Sequence, residues 1–303
     1  MNGILVLDKP LGITSHEAVS AVNRILRFKR AGHTGTLDPF ATGVLPICVN
    51  GATKIIPFMK SGTKKYEALL RLGVKTDTLD LTGKVLEERD VGITEESALI
   101  DVFSKYEGKI SQIPPMYSAV KKDGVRLYEY ARQGVEIERP AREVTINKIE
   151  LIEFSPPFVR FMVECSRGTY IRVLASDIAE DIGCGGHLAE LRRIESDGFT
   201  IEDAVTIEDV KGGRIELTPP GDALSHMKRL DISDALADAI RQGKQIRKIG
   251  VRDTELPCFT AGEMLKVYDG SELVSVTEAV VDSSDIEGLK DGAVIFKLLR
   301  VFN

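Results

Sequence analysis

A glycine-rich segment with a single carboxylate is the part of this sequence best suited to chemistry. It runs from Gly32 to Leu45, contains three glycines, and has Asp38 as its only acidic residue. Glycine permits backbone angles that other residues avoid, so the segment is predicted to be a shaped loop. Pro39 disfavours helical geometry at Asp38, which leaves the carboxylate on an extended turn. Asp-Pro is also an ordinary turn sequence, but a carboxylate displayed this way can act as a nucleophile or a base.

The elements that must hold this loop are predicted on either side of it. The segments 4–7 and 44–49 are apolar runs of the length of buried strands. Thr14 and Glu17 have the spacing of a capping box, which predicts a helix between the two strands. Further along, apolar and polar residues alternate over 66–72, which predicts a strand with Tyr66 on its more apolar face.

The remainder of the chain is predicted to alternate between strands and helices, with one irregular insertion. Prolines and interleaved basic and tyrosine residues make 111–142 an exception, with no regular structure at Pro114 and Pro115. Glycine and proline clusters within 199–230 indicate a domain boundary. Regular elements are predicted at 94–106 (helix), 144–152 and 158–165 (strands), 171–178 (helix), 233–240 (helix capped by Ser233 and ended by Gly243), and 264–268, 272–277 and 293–301 (strands).

Composition places the chain among ordinary globular proteins. It has 303 residues, of which 43% are hydrophobic and 28% charged. No apolar run is long enough to span a membrane, and no basic start precedes an apolar core, so neither a membrane segment nor a signal peptide is expected. Four scattered cysteines without Cys-x-x-Cys spacing indicate free thiols in the reducing cytoplasm, and four scattered histidines make a zinc site improbable.

The distribution of charge matters more than its total. The net charge is −6, which at first argues against a nucleic-acid partner. However, residues 1–75 hold eleven Lys and Arg against four Asp and Glu, whereas residues 76–110 hold four against nine. The segment 241–252 carries five basic residues and no acid. Phosphate binding requires only a local positive surface, so a nucleic-acid partner is allowed, although each cluster could also be solvated surface.

Several long motifs in a fixed order resemble the TruB family of bacterial tRNA pseudouridine synthases. The resemblance is strong over about residues 1–198 and weaker after about residue 229. Motifs in such an order are far more specific than any one of them alone. They are Gly3–Pro10, the Asp38 segment, Lys65-Tyr66-Glu67, Gln112–Ala119 with Lys121 and Gly124, Tyr128–Gly134, Cys165–Arg172, Gly183–Leu188 and Leu191-Arg192-Arg193.

This resemblance implies both a fold and a domain organisation. The fold class is α+β, with a mixed, mainly antiparallel central sheet and flanking helices, followed by a small C-terminal β pseudo-barrel of the PUA type. Residues 1–228 are expected to form the catalytic domain, with 111–142 as an insertion that grips RNA. Residues 229–303 are expected to form an RNA-binding domain.

The resemblance also assigns roles to individual residues. Asp38 matches the catalytic aspartate, Arg172 the arginine that pairs with it, and Tyr66 the tyrosine that stacks on the target base. The substrate-binding positions are His33, Tyr66, Tyr170 and Leu191. Asp80 also matches a family position, although capping of its own loop explains it equally well. Arg167 stands where many relatives have lysine, a change that keeps the charge.

The implied activity is isomerisation of uridine to pseudouridine in the T-loop of tRNA, at position 55, after the base is flipped out of the RNA. Because this reaction has no redox step and no group donor, neither a cofactor nor a metal is expected. The partner is tRNA, and the protein is expected to be a cytoplasmic monomer. Two alternatives remain: the pseudouridine synthase subunit of a guide-RNA particle, and a tRNA chaperone with little catalysis.

Overall fold

The computed structural model describes residues 2–59, 62–93, 95–118 and 120–302. Thr94 of the expected helix and Ala119 of the 112–119 motif therefore lie outside the described residues. The strands are β1 Gly3–Lys9, β2 Ala31–His33, β3 Thr42–Val49, β4 Lys64–Leu72, β5 Val74–Thr76, β6 Val85–Glu88, β7 Gly108–Gln112, β8 Lys121–Lys122, β9 Val125–Arg126, β10 Arg142–Ser155, β11 Phe158–Cys165, β12 Gly186–Ser196, β13 Phe199–Thr200, β14 Lys228–Asp231, β15 Ile246–Arg247, β16 Met264–Asp269, β17 Glu272–Ala279 and β18 Val294–Val301. The α-helices are α1 Ser15–Leu26, α2 Glu96–Tyr106, α3 Leu127–Arg132, α4 Ile171–Ile182, α5 Ile207–Lys211 and α6 Asp234–Arg241.

A nine-stranded sheet forms the centre of the molecule. Its main path has the order β1-β3-β12-β4-β11-β10-β7, with β2 paired to β3 and β13 paired to β12. All of these pairs are antiparallel except β3 with β12, where Arg192 and Arg193 lie beside Thr42 and Gly43. The prediction of a mixed, mainly antiparallel sheet is thus confirmed.

The predicted strands around the Asp38 loop are present because their apolar residues are covered. Both faces of β1 and β3 are buried: Leu5 and Leu45 pack against α1, whereas Ile4 and Val44 pack on the opposite face. A strand covered on both faces favours a continuous apolar run, which is the pattern of these segments. In β4 only alternate side chains are buried, and Tyr66 lies on that buried face as predicted.

Helices flank the sheet at the predicted places. The capping box of α1 is formed, since the Glu17 backbone N–H donates to the Thr14 hydroxyl (3.1 Å) and the Thr14 N–H donates to the Glu17 carboxylate (2.7 Å). Helices α2 and α4 contribute to the largest apolar core, where the rings of Phe103 and Phe161 lie 5.5 Å apart. This core lies directly behind the strand that carries Tyr66.

The C-terminal part forms a second sheet of five strands. Their order is β14-β16-β17-β18-β15, and only β14 and β16 run parallel. The sheet is curled into a half-barrel around its own apolar core, which fits the expected pseudo-barrel. Helix α6 follows Ser233 and ends before Gly243 as predicted, but the Ser233 side chain makes no capping hydrogen bond.

The two sheets share an apolar cluster, so they are packed together. Val276 of β17 joins Ile4, Val44 and Met227 in this cluster. Lys54 adds a hydrogen bond from its Nζ to the Val301 carbonyl (3.0 Å). The second sheet begins at residue 228 with β14, but the functional division into catalytic and RNA-binding domains stays a prediction. Because of the shared cluster, removing residues 229–303 would expose core surface of the first sheet.

The 111–142 insertion contains more regular structure than its sequence predicts. The chain has no regular structure at Pro114 and Pro115, as expected. The segment also includes the end of β7, the β8–β9 hairpin and helix α3. Tyr128 of this helix lies near two guanidinium groups, with Arg126 5.8 Å and Arg132 5.4 Å from its ring centre.

Candidate active site

One cavity of about 240 Å³ brings together most of the predicted site residues. Its size suits a single nucleotide base more than a drug-sized molecule. Asp38, Arg172, Tyr66, Tyr170 and Leu191 all line it, whereas His33 does not. The complete lining consists of Thr36, Leu37, Asp38, Lys64, Tyr66, Ser118, Gly168, Thr169, Tyr170, Ile171, Arg172 and Leu191.

The Asp38 turn is fixed by contacts to its two neighbours in the chain. On one side, the Ser15 hydroxyl accepts a hydrogen bond from the Leu37 N–H (2.7 Å) and lies 3.0 Å from the Leu37 carbonyl oxygen. On the other side, the Gly12 N–H donates to the Pro39 carbonyl (2.8 Å). With both neighbours held, the Asp38 carboxylate keeps a defined direction into the cavity.

Two buried cations that sequence reasoning did not single out also hold this loop. Arg193 has no exposed surface, and its guanidinium donates to the carbonyls of Val44 (2.7 Å) and Gly35 (3.1 Å). Lys9 is equally buried and donates to the Ile13 carbonyl at 2.7 Å. Burial lowers the pKa of Lys9 to about 8, an effect that the nearby Asp38 carboxylate opposes.

Arg172 is the ion-pair partner of Asp38. Its Nε lies 2.9 Å from Asp38 Oδ2, and only 3% of the residue is exposed. The remaining guanidinium nitrogens donate to the carbonyls of Thr78 (2.9 Å) and Tyr117 (2.8 Å). A planar guanidinium can satisfy several fixed acceptors at once, so Arg172 is anchored by three separate segments. The expected pairing is therefore present, and Arg172 is not a surface residue.

Asp80 contacts both its own loop and the guanidinium that pairs with Asp38. Its Oδ1 accepts hydrogen bonds from the Thr82 N–H (2.9 Å) and the Thr78 hydroxyl (2.8 Å), which is the loop-capping role. Its Oδ2 lies 3.6 Å from Arg172 Nη1. Burial raises the pKa of Asp38 above its ordinary value; Arg172 opposes this rise, and Asp80 adds to it. Arg172 is thus the main group that holds the pKa of Asp38 down against burial.

The aromatic walls of the cavity come from strand β4 and from the residue before helix α4. Tyr66 is 6% exposed, and burial raises the pKa of its hydroxyl, which the nearby Arg193 guanidinium opposes. Tyr170 precedes α4, and the Gln112 side chain binds its backbone by accepting from the N–H (3.0 Å) and donating to the carbonyl (3.4 Å). Leu191 of β12 completes an apolar wall of the kind that a flipped base needs.

His33 lies outside this cavity, at the end of β2. Its Nδ1 is buried and has no hydrogen-bond partner among the described residues. Burial and the nearby Arg193 charge lower its pKa, so the ring is mostly neutral at pH 7. The expectation that His33 contacts nucleotides next to the target stays a prediction.

Lys64 and Ser118 are cavity residues that sequence reasoning did not assign. Both are more than nine-tenths buried. A signal for Lys64 existed, because strand alternation places it on the same face as Tyr66, where a lysine is unusual. The same signal applies to Arg193, which shares a face of β12 with Leu191. Ser118 follows the prolines of the insertion, where no periodic pattern could place it.

The basic clusters differ in how many of their side chains form ion pairs within the protein. Arg27, Lys29 and Arg30 are exposed and form no ion pair with any residue that the structure describes. The Asn50 side chain fixes this turn by accepting from the Lys29 N–H (2.9 Å) and the Arg30 N–H (3.4 Å). We name residues 27–30 the basic turn.

In the 241–252 segment, by contrast, most basic side chains contact other groups of the same chain. Arg241 pairs with Asp269 (3.3 Å) and Glu272 (2.9 Å), and Arg252 pairs with Asp291. Lys248 donates to backbone carbonyls. The basic turn is therefore the better candidate surface for phosphate.

Within the described ranges, no three His, Cys, Asp or Glu side chains come together in an arrangement that could hold a metal ion. None of the helices in the described part of the chain combines the length and apolarity that a membrane crossing requires.

Comparison with known proteins points to one family. The profile of the TruB family pseudouridylate synthase N-terminal domain matches residues 23–171. The profile of the tRNA pseudouridylate synthase B C-terminal domain matches residues 172–227. The first match contains Asp38 and Tyr66, and the second begins at Arg172.

Similar proteins and structures cover the whole chain. It is 43% identical over 311 residues to tRNA pseudouridine synthase B of Geobacter sulfurreducens, covering 100% of both chains. It is 39% identical to the protein of the same name from Clostridium tetani, over 99% of this chain and 100% of that one. Its fold resembles a chain in the crystal structure of a Cbf5-Nop10-Gar1 complex, with a TM-score of 0.74, 28% identity, and coverage of 99% of this chain and 85% of that chain. The chain belongs to the TruB family of pseudouridylate synthases.

Proposed function

We propose that this protein converts one uridine of tRNA into pseudouridine, at position 55 in the T-loop, without a guide RNA. The observation that carries this proposal is the Asp38–Arg172 ion pair inside a base-sized cavity walled by Tyr66, Tyr170 and Leu191. The names of its relatives, tRNA pseudouridine synthase B, supply the substrate class. The choice of the T-loop rests on the resemblance to the TruB family.

The reaction fits the chemistry of the cavity. The bond between C1′ of the ribose and N1 of uracil breaks, the uracil rotates, and a new bond joins C1′ to C5. The C5 proton leaves and N1 gains one, so the overall change is an isomerisation. Asp38 is the one carboxylate that lines the cavity among the described residues, so it acts on the sugar as nucleophile or base. Arg172 keeps it ionised against the effect of burial.

Base binding follows from the apolar and aromatic walls. A uridine that leaves the RNA stack loses its stacking partners, and Tyr66 with Leu191 replaces them. The Tyr66 hydroxyl is the proposed proton-transfer partner of the base. His33 lies outside the cavity and is proposed to contact the T-loop beside the target. The basic turn and the 111–142 insertion are proposed to contact phosphates.

Two further assignments accompany this function. We propose that the protein acts as a monomer. We also expect action in the cytoplasm, where tRNA is the substrate. The C-terminal half-barrel, as a PUA-like module, is proposed to add RNA contacts.

The alternative of a guided enzyme has one specific observation in its favour, the similarity to a chain of the Cbf5-Nop10-Gar1 complex. The identity to full-length tRNA pseudouridine synthases B is higher, which favours the stand-alone enzyme. A chaperone with little catalysis is less favoured, because the Asp38–Arg172 pair would then have no role in the cavity.

The deciding experiment uses purified protein and an unmodified tRNA transcript, with no other RNA present. Pseudouridine should form at position 55 alone, as mapped by carbodiimide modification and primer extension. A transcript with cytidine at position 55 is the matched control and should remain unmodified. A need for added guide RNA would support the guided alternative, and binding without any product would support the chaperone.

A further inference from the structure

Lys64 is a buried cation that lines the cavity, and the proposed reaction assigns no role to it. It is the first residue of β4, on the same face as Tyr66, and is 8% exposed. Its Nζ lies against the Asp38 loop, where a Cβ at Gly35 would be only 2.5 Å away. Its ammonium forms no hydrogen bond or ion pair with any of the described residues. A buried ammonium without a partner is costly, so its presence calls for an explanation.

The surroundings of Lys64 are positive. Arg193 is fully buried, and its guanidinium is directed at backbone carbonyls rather than at carboxylates. Arg167 donates to the Thr34 carbonyl (2.9 Å) and lies 3.8 Å from the buried carboxylate of Asp197. Among the described residues, Lys64, Arg193 and Arg167 thus lie near the single carboxylate of Asp197, which leaves a net positive charge beside the part of the cavity wall that Lys64 forms.

The one carboxylate near these cations is only half occupied: among the described residues, Asp197 Oδ1 accepts no hydrogen bond and lies 3.8 Å from the Arg167 guanidinium. Asp197 Oδ2 accepts hydrogen bonds from the hydroxyls of Thr34 (2.8 Å) and Ser196 (3.3 Å). Burial, together with the Arg193 charge, lowers the pKa of Lys64 to about 8, which Asp197 only partly opposes. Lys64 is thus a buried cation without an ion-pair partner among the described residues.

We propose that the Lys64 ammonium binds a non-bridging oxygen of a phosphodiester that adjoins the target uridine. This inference rests on the proposed function, because it requires a flipped nucleotide in the cavity. A flipped nucleotide brings its own phosphates with it, since base and phosphates are joined through the ribose. The net positive charge beside Asp38 matches a phosphate better than it matches a neutral uracil carbonyl. Lys64 would thereby fix the ribose against the Asp38 carboxylate.

A mutant–substrate cycle tests this contact. The substrates are T-arm stem-loop RNAs, each with one uncharged methylphosphonate linkage placed in turn around the loop. Binding is measured to Asp38→Asn protein with and without Lys64→Met, so that no reaction intervenes. We expect Lys64→Met to weaken binding of the native RNA about tenfold. A methylphosphonate at one linkage next to the target uridine should weaken binding to the protein with Lys64 by the same factor. Both changes together should cost no more than either alone, because they remove the same contact.

The neighbouring Lys65 provides the control. It lies on the opposite face of β4, so Lys65→Met should show no coupling to that linkage. Thermal unfolding gives a second readout. Because the Lys64 ammonium has no hydrogen-bond partner among the described residues, Lys64→Met should keep or raise the melting temperature, whereas a structural lysine would lower it.

The phosphate contact would be overturned if the losses in binding caused by Lys64→Met and by the methylphosphonate were additive at every linkage. Coupling only at a linkage away from the isomerised uridine would overturn it as well. The product formed by the unaltered enzyme tests the proposed function separately. A normal product with no coupled linkage would refute the Lys64 contact alone. A coupled linkage with no pseudouridine would refute the proposed function and retain a phosphate site.

Discussion

Removing the charge of Arg172 should move the acid limb of the pH–rate profile upward. The rate requires ionised Asp38, so it falls as the pH drops through the pKa of this carboxyl. Burial already raises that pKa, and Arg172, at 2.9 Å, opposes the rise. Arg172→Met should therefore raise the pKa further and shift the acid limb to higher pH.

The size of this shift follows from the geometry. A cation within hydrogen-bond distance lowers a carboxyl pKa by roughly 1–3 units, and water screens such pairs. The Asp38 side chain is 34% exposed, so water weakens the pair and the shift should lie toward the lower end of that range. The assay is the single-turnover rate on tRNA between pH 5 and pH 9, with saturating enzyme.

Arg172→Lys separates charge from geometry. Lysine keeps the positive charge, so the acid limb should stay near its original position. However, one ammonium cannot serve Asp38 and the carbonyls of Thr78 and Tyr117 together, so the plateau rate and the stability should both fall. Each buried carbonyl left without a donor costs about 1–3 kcal/mol. An unchanged acid limb in folded Arg172→Met protein would refute the proposed role of the ion pair.

Two further predictions concern base and RNA binding. Tyr66→Phe should preserve the affinity for tRNA but lose turnover. Tyr66→Leu should lose turnover and also weaken binding by about 1–3 kcal/mol, because stacking on the base is removed. Unchanged rates in stable variants would show that Tyr66 is a core residue only. Replacing Arg27, Lys29 and Arg30 together by Gln should weaken tRNA binding and lower the salt dependence of log Kd by about 0.9 for each phosphate that is no longer neutralised, with the rate at saturation unchanged. The paired Arg252→Gln should have little effect, and equal effects of the two changes would contradict a special role for the basic turn.

Much of the fold around the site could be predicted because its signals are local. The capping box of α1, the apolar runs of β1 and β3, and the alternation of β4 each depend on residues close in sequence. By contrast, the order of the strands depends on contacts across the chain. The parallel pairing of β3 with β12 places Arg193 beside Gly43. No periodic pattern in the sequence predicts this contact.

In the candidate site, too, local motifs could be predicted and contacts between distant segments could not. The family motifs located Asp38, Arg172, Tyr66, Tyr170 and Leu191, all of which line one cavity. The contacts of Lys9 and Arg193 with the Asp38 loop could not be predicted, because they involve backbone carbonyls brought near by the fold. The pairing of the basic segment 241–252 could not be predicted in full, because three of its acidic partners, Asp269, Glu272 and Asp291, lie far along the chain.

The most direct test of the central claim compares Asp38→Asn with the unaltered protein on the same tRNA. The change is nearly isosteric and removes only the charge that the reaction needs. Single-turnover isomerisation should fall by several orders of magnitude, while the Kd for tRNA stays within a fewfold of the original value. Retention of more than about a tenth of the rate would contradict the assignment of Asp38 as the catalytic group.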